Sequence, residues 1–342
     1  MPEPVALRLV RRRALVIAAV LMITVSAVYG AWWSIVVAET EAAIENWIGQ
    51  RRSQGWKINF DRLVTAGFPF AVRIKIDEPR VAVGPWQWRS EGLNITGTPW
   101  SLAEVKFDLS GSHGGQVVLD GSLETFTLRA DALNGTAALK DGRLQGLQSK
   151  GEGLHLRLEG RNQIFSLAEF EIKGEQQDPV TLDWGLRMRA LQLPMSLHIP
   201  LGPRLQYLDA KGQLAGSLSG DTLKAALSAW RDRGGRLTVT MLDMNYMPLR
   251  IAGDGTFALD SALQPVGVFS SRARGVMKTV DTLVDTGLIK SMESVATKLV
   301  LAALSKTPEG GGERYLDLPL TLENRTLSAG PFKLLRFHPV RW

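Results

Sequence analysis

From Trp56 onward the sequence keeps returning to one pattern, with large apolar residues at every second position. Trp56, Ile58 and Phe60 alternate with Lys57, Asn59 and Asp61. The sets Val72, Ile74, Ile76; Val105, Phe107, Leu109; and Phe126, Leu128, Ala130 repeat it. So do Leu154, Leu156, Leu158; Leu182, Trp184, Leu186, Met188; and Leu237, Val239, Met241. A period of two puts each set on one face of a β-strand. Turn signals stand between them at Asp120-Gly121, Asn134-Gly135, Asp141-Gly142 and Asp254-Gly255. Many strands joined by short turns predict an antiparallel meander with one dry face. The predicted fold is mainly β with a few helices: a long, twisted antiparallel sheet, curled into a groove or a barrel-like form.

The amino-terminal part follows a different rule. Arg8, Arg11, Arg12 and Arg13 precede 25 residues without a charge, Ala14 to Ala38. A helix rising about 1.5 Å per residue crosses a ~30 Å hydrocarbon core within that length. Arginines flank one side, and Glu39, Glu41 and Glu45 the other, so the positive-inside rule puts the amino terminus in the cytoplasm. Trp32 and Trp33 fall near the outer headgroups. A cleaved signal sequence ending at Val25-Ser-Ala27 is the rival reading. The apolar run continues past Ala27, so an uncleaved anchor is expected.

The expected organisation is a basic cytoplasmic tail (1–13), a transmembrane anchor (14–38), a juxtamembrane helix (39–55) and an extracytoplasmic β domain (56–342). In that last part, Leu223, Ala226, Leu227 and Trp230 predict a helix near 220–233, capped by Asp221 and stopped by Gly234. Val280, Leu283, Val284, Leu288, Met292, Val295 and Leu299 predict another over 276–304, bent at Gly287. Charges along the second exclude another membrane crossing. The helices are expected to pack on the sheet or cap its ends. The implied location is the inner membrane, single-pass, with the bulk in the periplasm.

The block Gly67-Phe68-Pro69-Phe70 interrupts the first two strands. Glycine supplies a bend or bulge there, and Pro69 belongs on an edge because it cannot donate to a ladder. Phe68 and Phe70 are expected against the apolar face, near Trp56, as packing at a strand bend or as ligand contacts.

Residues that carry chemistry are sparse. The four histidines, His113, His155, His198 and His338, show no metal-helix spacing. His113 reads as a turn residue, and all four as satisfied or surface histidines. Gly253-Asp254-Gly255-Thr256-Phe257-Ala258 fits a dinucleotide pattern on paper, but strand residues follow it, and a hairpin is expected instead. There is no nucleophile elbow or phosphate loop. The absence of cysteine excludes disulfides and thiolate metal sites. The net charge of +6 falls to +3 without residues 1–13, and no basic block survives, which argues against nucleic acid.

Several stretches together resemble a known family: WIGQRRSQGW (47–56), AGFPFAVRIKIDEPRV (66–81), the region 226–267 with Trp230 and Gly234-Gly235, and LPLTLENRTLSAGPFKLLRFHP (318–339). This is the membrane-anchored alphaproteobacterial family numbered twenty-one twenty-five among domains of unknown function. The strand pattern is more remotely similar to AsmA-like envelope proteins. The resemblance implies an envelope protein with no enzymatic activity and no catalytic residue to carry over. AsmA-like kinship implies handling of phospholipid or outer-membrane components in an apolar groove.

The expected function is thus non-enzymatic: binding or shielding lipid acyl chains, with no cofactor and no metal. Candidate lipid-contacting residues are Phe68, Phe70, Val72, Ile74, Leu128, Leu156 and Trp184. Expected partners are the membrane, a phospholipid or other acyl-chain ligand, and envelope proteins. The alternative is a structural protein with a closed apolar core and a partner-docking rim. An unrecognised hydrolase ranks last.

Overall fold

The computed structural model describes residues 5–342 apart from 120, 141–142, 198, 221, 288–300, 303–304, 308, 310, 331 and 341. Anchor and juxtamembrane segments form one rod, α1 (Val5–Ser53), ended where Gly55 turns left-handed at φ 87°.

Twenty strands follow among the described residues, all antiparallel neighbours in one sheet. The first ten are half-strands, each pair continuing one long run across a break. They are β1 (Lys57–Asn59) and β2 (Arg62–Ala66), β3 (Val72–Asp77) and β4 (Arg80–Val83), β5 (Trp86–Ser90) and β6 (Gly92–Thr98), β7 (Ser101–Asp108) and β8 (Gly111–Leu119), β9 (Ser122–Ala130) and β10 (Ala132–Lys140). Then come β11 (Arg143–Leu158), β12 (Gln163–Asp178), β13 (Thr181–Gln192), β14 (Arg204–Ala215), β15 (Arg236–Tyr246), β16 (Leu249–Leu259) and β17 (Pro265–Arg274). The last are β18 (Tyr315–Glu323), β19 (Thr326–Ala329) and β20 (Phe332–Arg336). The sheet forks at β11, whose first half pairs with β10 and whose second half pairs with β9.

A crease crosses the sheet along the breaks. Asp61, Glu78, Glu91 and Asp131 each send a backbone N–H across it, to Asp77, Glu91, Ser112 and Glu152. Left-handed residues mark it at Glu78 (φ 47°), Gly111 (φ 111°), Gly153 (φ 58°) and Ala190 (φ 50°). Apolar parity switches on the same line. In β11 it passes from Leu147 and Gly151 to Leu154, Leu156 and Leu158. In β12 it passes from Leu167 to Phe170, and in β13 from Met188 to Leu191. The two parities share one side of the sheet. A Cβ on Gly151 would lie 2.2 Å from the Phe170 ring and 3.0 Å from Leu154.

The sheet stays open. Strand β20 pairs with β19 alone and the other edges are β1 and β2, so neither the barrel-like form nor a closed core is formed. Helix α2 (Leu223–Asp232) is capped by Thr222, whose Oγ1 accepts from Ala225 N at 3.2 Å, in place of the expected Asp221, which lies outside the described residues. Thr222 sits one residue nearer the first helical turn, where its hydroxyl reaches the third amide. Gly234 (φ 75°) ends α2 as expected. Trp230 is 5% exposed and donates to Ala215 O at 2.8 Å, pinning α2 to one end of the sheet. Helix α3 (Val276–Asp285) buries Thr279 and Val280 and packs near β16. Gly287 follows with φ 76°; the rest of the expected helix, with Leu288, Met292, Val295 and Leu299, lies outside the described residues.

Two of the expected turns are strands. Asn134-Gly135 lies within β10 and Asp254-Gly255 within β16. These glycines serve close approach, not a bend. A Cβ on Gly135 would lie 2.5 Å from the Phe107 ring, and one on Gly255 would lie 2.6 Å from Phe269. The Gly253–Ala258 segment continues as strand and turns at 260–264 into β17, its antiparallel partner, so the expected hairpin forms and no helix follows the glycines directly.

Candidate functional site

Directly opposed residues in an antiparallel ladder share a face, so register traces the apolar side across the sheet. On one branch Ile74 opposes Ile95, Ile95 opposes Phe107, and Phe107 opposes Gly135. On the other, Ile58 opposes Val81, Val81 opposes Trp88, and Gly115 lies between Trp88 and Phe126. Beyond the fork, Ile172 opposes Leu186, Leu186 opposes Ala210, and Ala210 opposes Leu242. Met188, Leu208, Met244 and Ile251 form the next rung. The face runs on through Phe269, Leu320 and Ala329.

Most of this face is only half-buried, and Ile172 and Leu182 are exposed. Large rings lie over glycines of neighbouring strands: Phe107 over Gly135, Phe170 over Gly151, Phe257 over Gly267 and Phe269 over Gly253. Rings placed this way pave the sheet and leave the space above it free. At one end Leu144, Leu147, Val180, Leu182, Leu214 and Leu218 line a recess of about 440 Å³.

The opposite face is charged. Glu171 faces Lys150 and Arg187 at 3.6 and 3.2 Å, and Asp209 takes two bonds from Arg189 at 2.8 Å each. Hydrogen bonding to Arg189, helped by Arg187, holds the Asp209 carboxyl below its ordinary range. The sheet is therefore two-sided.

The candidate residues separate into three groups. Leu128 and Leu156 are directly opposed and half-buried on the open face. Trp184 lies on it too, between Gly174 and Gly212, and its Nε1 has no hydrogen-bond partner. Val72 and Ile74 share the face but are 2% and 5% exposed, so they are core. Phe68 and Phe70 are off it. They occupy the turn between β2 and β3, 56% and 74% exposed, and the expected contact with Trp56 is not made. The Phe68 ring instead meets Trp33 at 5.4 Å and Tyr29 at 6.0 Å, while Trp56 lies under Arg51. Met241 also leaves the face, because a bulge between Val239 and Leu242 puts Leu242 in its place.

The histidines need one correction. His113 is not in a turn but within β8, 3% exposed and stacked on Trp88 at 6.0 Å, with no well-formed hydrogen bond to either ring nitrogen. Burial holds its pKa below the ordinary 6.5, outweighing the Leu109 backbone and the Glu91 charge. Its stabilising neutrality is complete above 6.5 and is lost as pH falls toward the folded-state value, where the unfolded chain alone takes the proton. His113→Phe is expected to flatten that loss, by up to about 1.4 kcal/mol per pH unit crossed, in urea unfolding compared at about pH 7.5 and about pH 5.5. His155 is exposed beside Ser166, His338 is exposed, and His198 lies outside the described residues.

Among the described residues no cluster of histidine and acidic side chains is arranged to hold a metal. The buried acid Glu124 accepts from Arg161 at 2.9 Å, a structural pair. Among the described residues one helix, α1, is long and apolar enough to cross a membrane. No curated protein and no solved structure matches the chain, so the remoter likeness to AsmA-like envelope proteins rests on no match. The family model does match: an uncharacterised protein conserved in bacteria, DUF2125, is matched over residues 33–338, which take in the turn at Gly67 and every strand, and the chain belongs to that family.

Proposed function

We propose that this is a single-pass inner-membrane protein whose periplasmic sheet binds or shields lipid acyl chains, without enzymatic chemistry. The observation that carries the reading is the apolar face, continuous in register from β3 to β19 and left half-open beside a membrane-length helix. Leaving about 400 Å² of such surface wet costs on the order of 10 kcal/mol, so a cover is strongly favoured. Acyl chains fit a flat, glycine-and-ring paved surface that offers dispersion contacts and few hydrogen-bond partners. The recess at Leu144, Val180 and Leu218 supplies one end of that track.

The test is purification of the full chain in mild detergent, exchange into fresh detergent, and extraction of what remains bound. Phospholipid or another acyl lipid retained in fixed ratio to protein is expected. A protein segment retained there instead, or no lipid above the detergent blank, contradicts the reading.

A further inference from the structure

We infer that the Gly67–Ala71 turn is a second membrane contact, a foot seated in the outer lipid interface beside α1. This rests on the anchoring reading above. Strands β1 and β2 run back along the helix they follow. Near the helix end Arg52 donates to Ile58 O at 3.2 Å, and at the far end of β2 the turn meets α1 again. There Trp33 Nε1 donates to Ala71 O at 3.4 Å and the Tyr29 hydroxyl donates to Pro69 O. The sheet therefore descends to the level of residues 29–33.

That level is set by arithmetic. A ~30 Å hydrocarbon core takes about 20 helical residues, and counting from Ala14 brings its outer boundary to about Trp33. Tyr29 lies about 6 Å deeper. A turn bonded to both residues sits at the headgroup–acyl boundary, where amphipathic rings settle.

The turn's own chemistry agrees. Phe68 and Phe70 are 56% and 74% exposed although both are apolar. Val72 pairs with Gly97, so the next hairpin, carrying Trp100 at 62% exposure, lies at the same end of the sheet. Arg62 and Lys75 pair with Asp77 at the far end of the hairpin, while Arg73 opposes Ala66 beside the turn, and a cation there suits anionic headgroups. The turn is also built to hold its shape. Gly67 has φ 111° and its carbonyl accepts from Ala71 N at 3.0 Å, and a Cβ at this position would lie 2.6 Å from Ala71 O.

The chain has no cysteine, so single cysteines can report depth. Phe70→Cys, Leu21→Cys and Leu123→Cys, each in the full chain, would carry an environment-sensitive dye in phosphatidylcholine–phosphatidylglycerol vesicles containing brominated lipid. Leu21 lies in the apolar run of α1, and Leu123 is an exposed residue just after the β8–β9 turn. Position 70 is expected to be blue-shifted and strongly quenched, like position 21, with position 123 unaffected. Quenching at 21 with position 70 behaving like 123 overturns the foot and leaves the anchor standing. No quenching at 21 overturns the anchor, and the foot with it.

Discussion

Leu186→Glu combined with Leu208→Glu is expected to cut the lipid retained by the purified chain by about tenfold or more, since a carboxylate against an acyl chain costs several kcal/mol. Both positions lie on adjacent rungs of the open face, at half-buried sites opposite Ala210 and Met188. The half-open setting lets the new carboxylates stay hydrated in the empty sheet, so circular dichroism is expected to remain that of the parent. The charge-matched control is Arg187→Gln with Lys211→Gln on the charged face, which also lowers the net charge by two and is expected to retain lipid normally. Equal loss in both pairs would mean that net charge, not the apolar face, governs retention.

The second large effect concerns the paving itself. Gly151→Ala is expected to destabilise the sheet by about 2 kcal/mol, because its Cβ would lie 2.2 and 2.7 Å from two atoms of the Phe170 ring. The nearest obstructions are side chains and not backbone, so Phe170→Leu in the same chain is expected to recover most of the loss. Urea midpoints of the single and double variants measure this coupling. Additive losses would show that Gly151 is required for its backbone conformation and not for the ring above it.

The alternation makes the sheet legible because a period of two has one physical meaning, and Leu128, Leu156 and Trp184 stand on the face it implies. The parity switch at Gly153 is also visible, as Leu154, Leu156 and Leu158 fall out of phase with Leu147. Asn134-Gly135 and Asp254-Gly255 mislead because a glycine that makes room for a ring reads the same as one that turns the chain. What each glycine makes room for sits on another strand: the Gln148 carbonyl and the Phe107 ring for the first, the Val268 carbonyl and the Phe269 ring for the second. The bulge that exchanges Met241 for Leu242 likewise needs a partner strand to exist. The positions of Phe68 and Phe70 escape the sequence for the same reason at longer range. Their site is fixed by Tyr29 and Trp33, with 40 residues separating Tyr29 from Pro69, and neither contact leaves a periodic trace. His113 reads as a turn residue because its neighbours are glycine and serine, yet those small residues make room for its burial beside Trp88.

The most direct measurement places a photoreactive side chain at Trp184, on the open face, and at Arg187, on the charged face of the same strand. Illumination in intact cells followed by mass spectrometry of the captured adducts identifies what lies over each side. Acyl-lipid adducts at 184 and none at 187 are expected. A protein adduct at 184, or lipid captured equally at both positions, would contradict a lipid-covered apolar face.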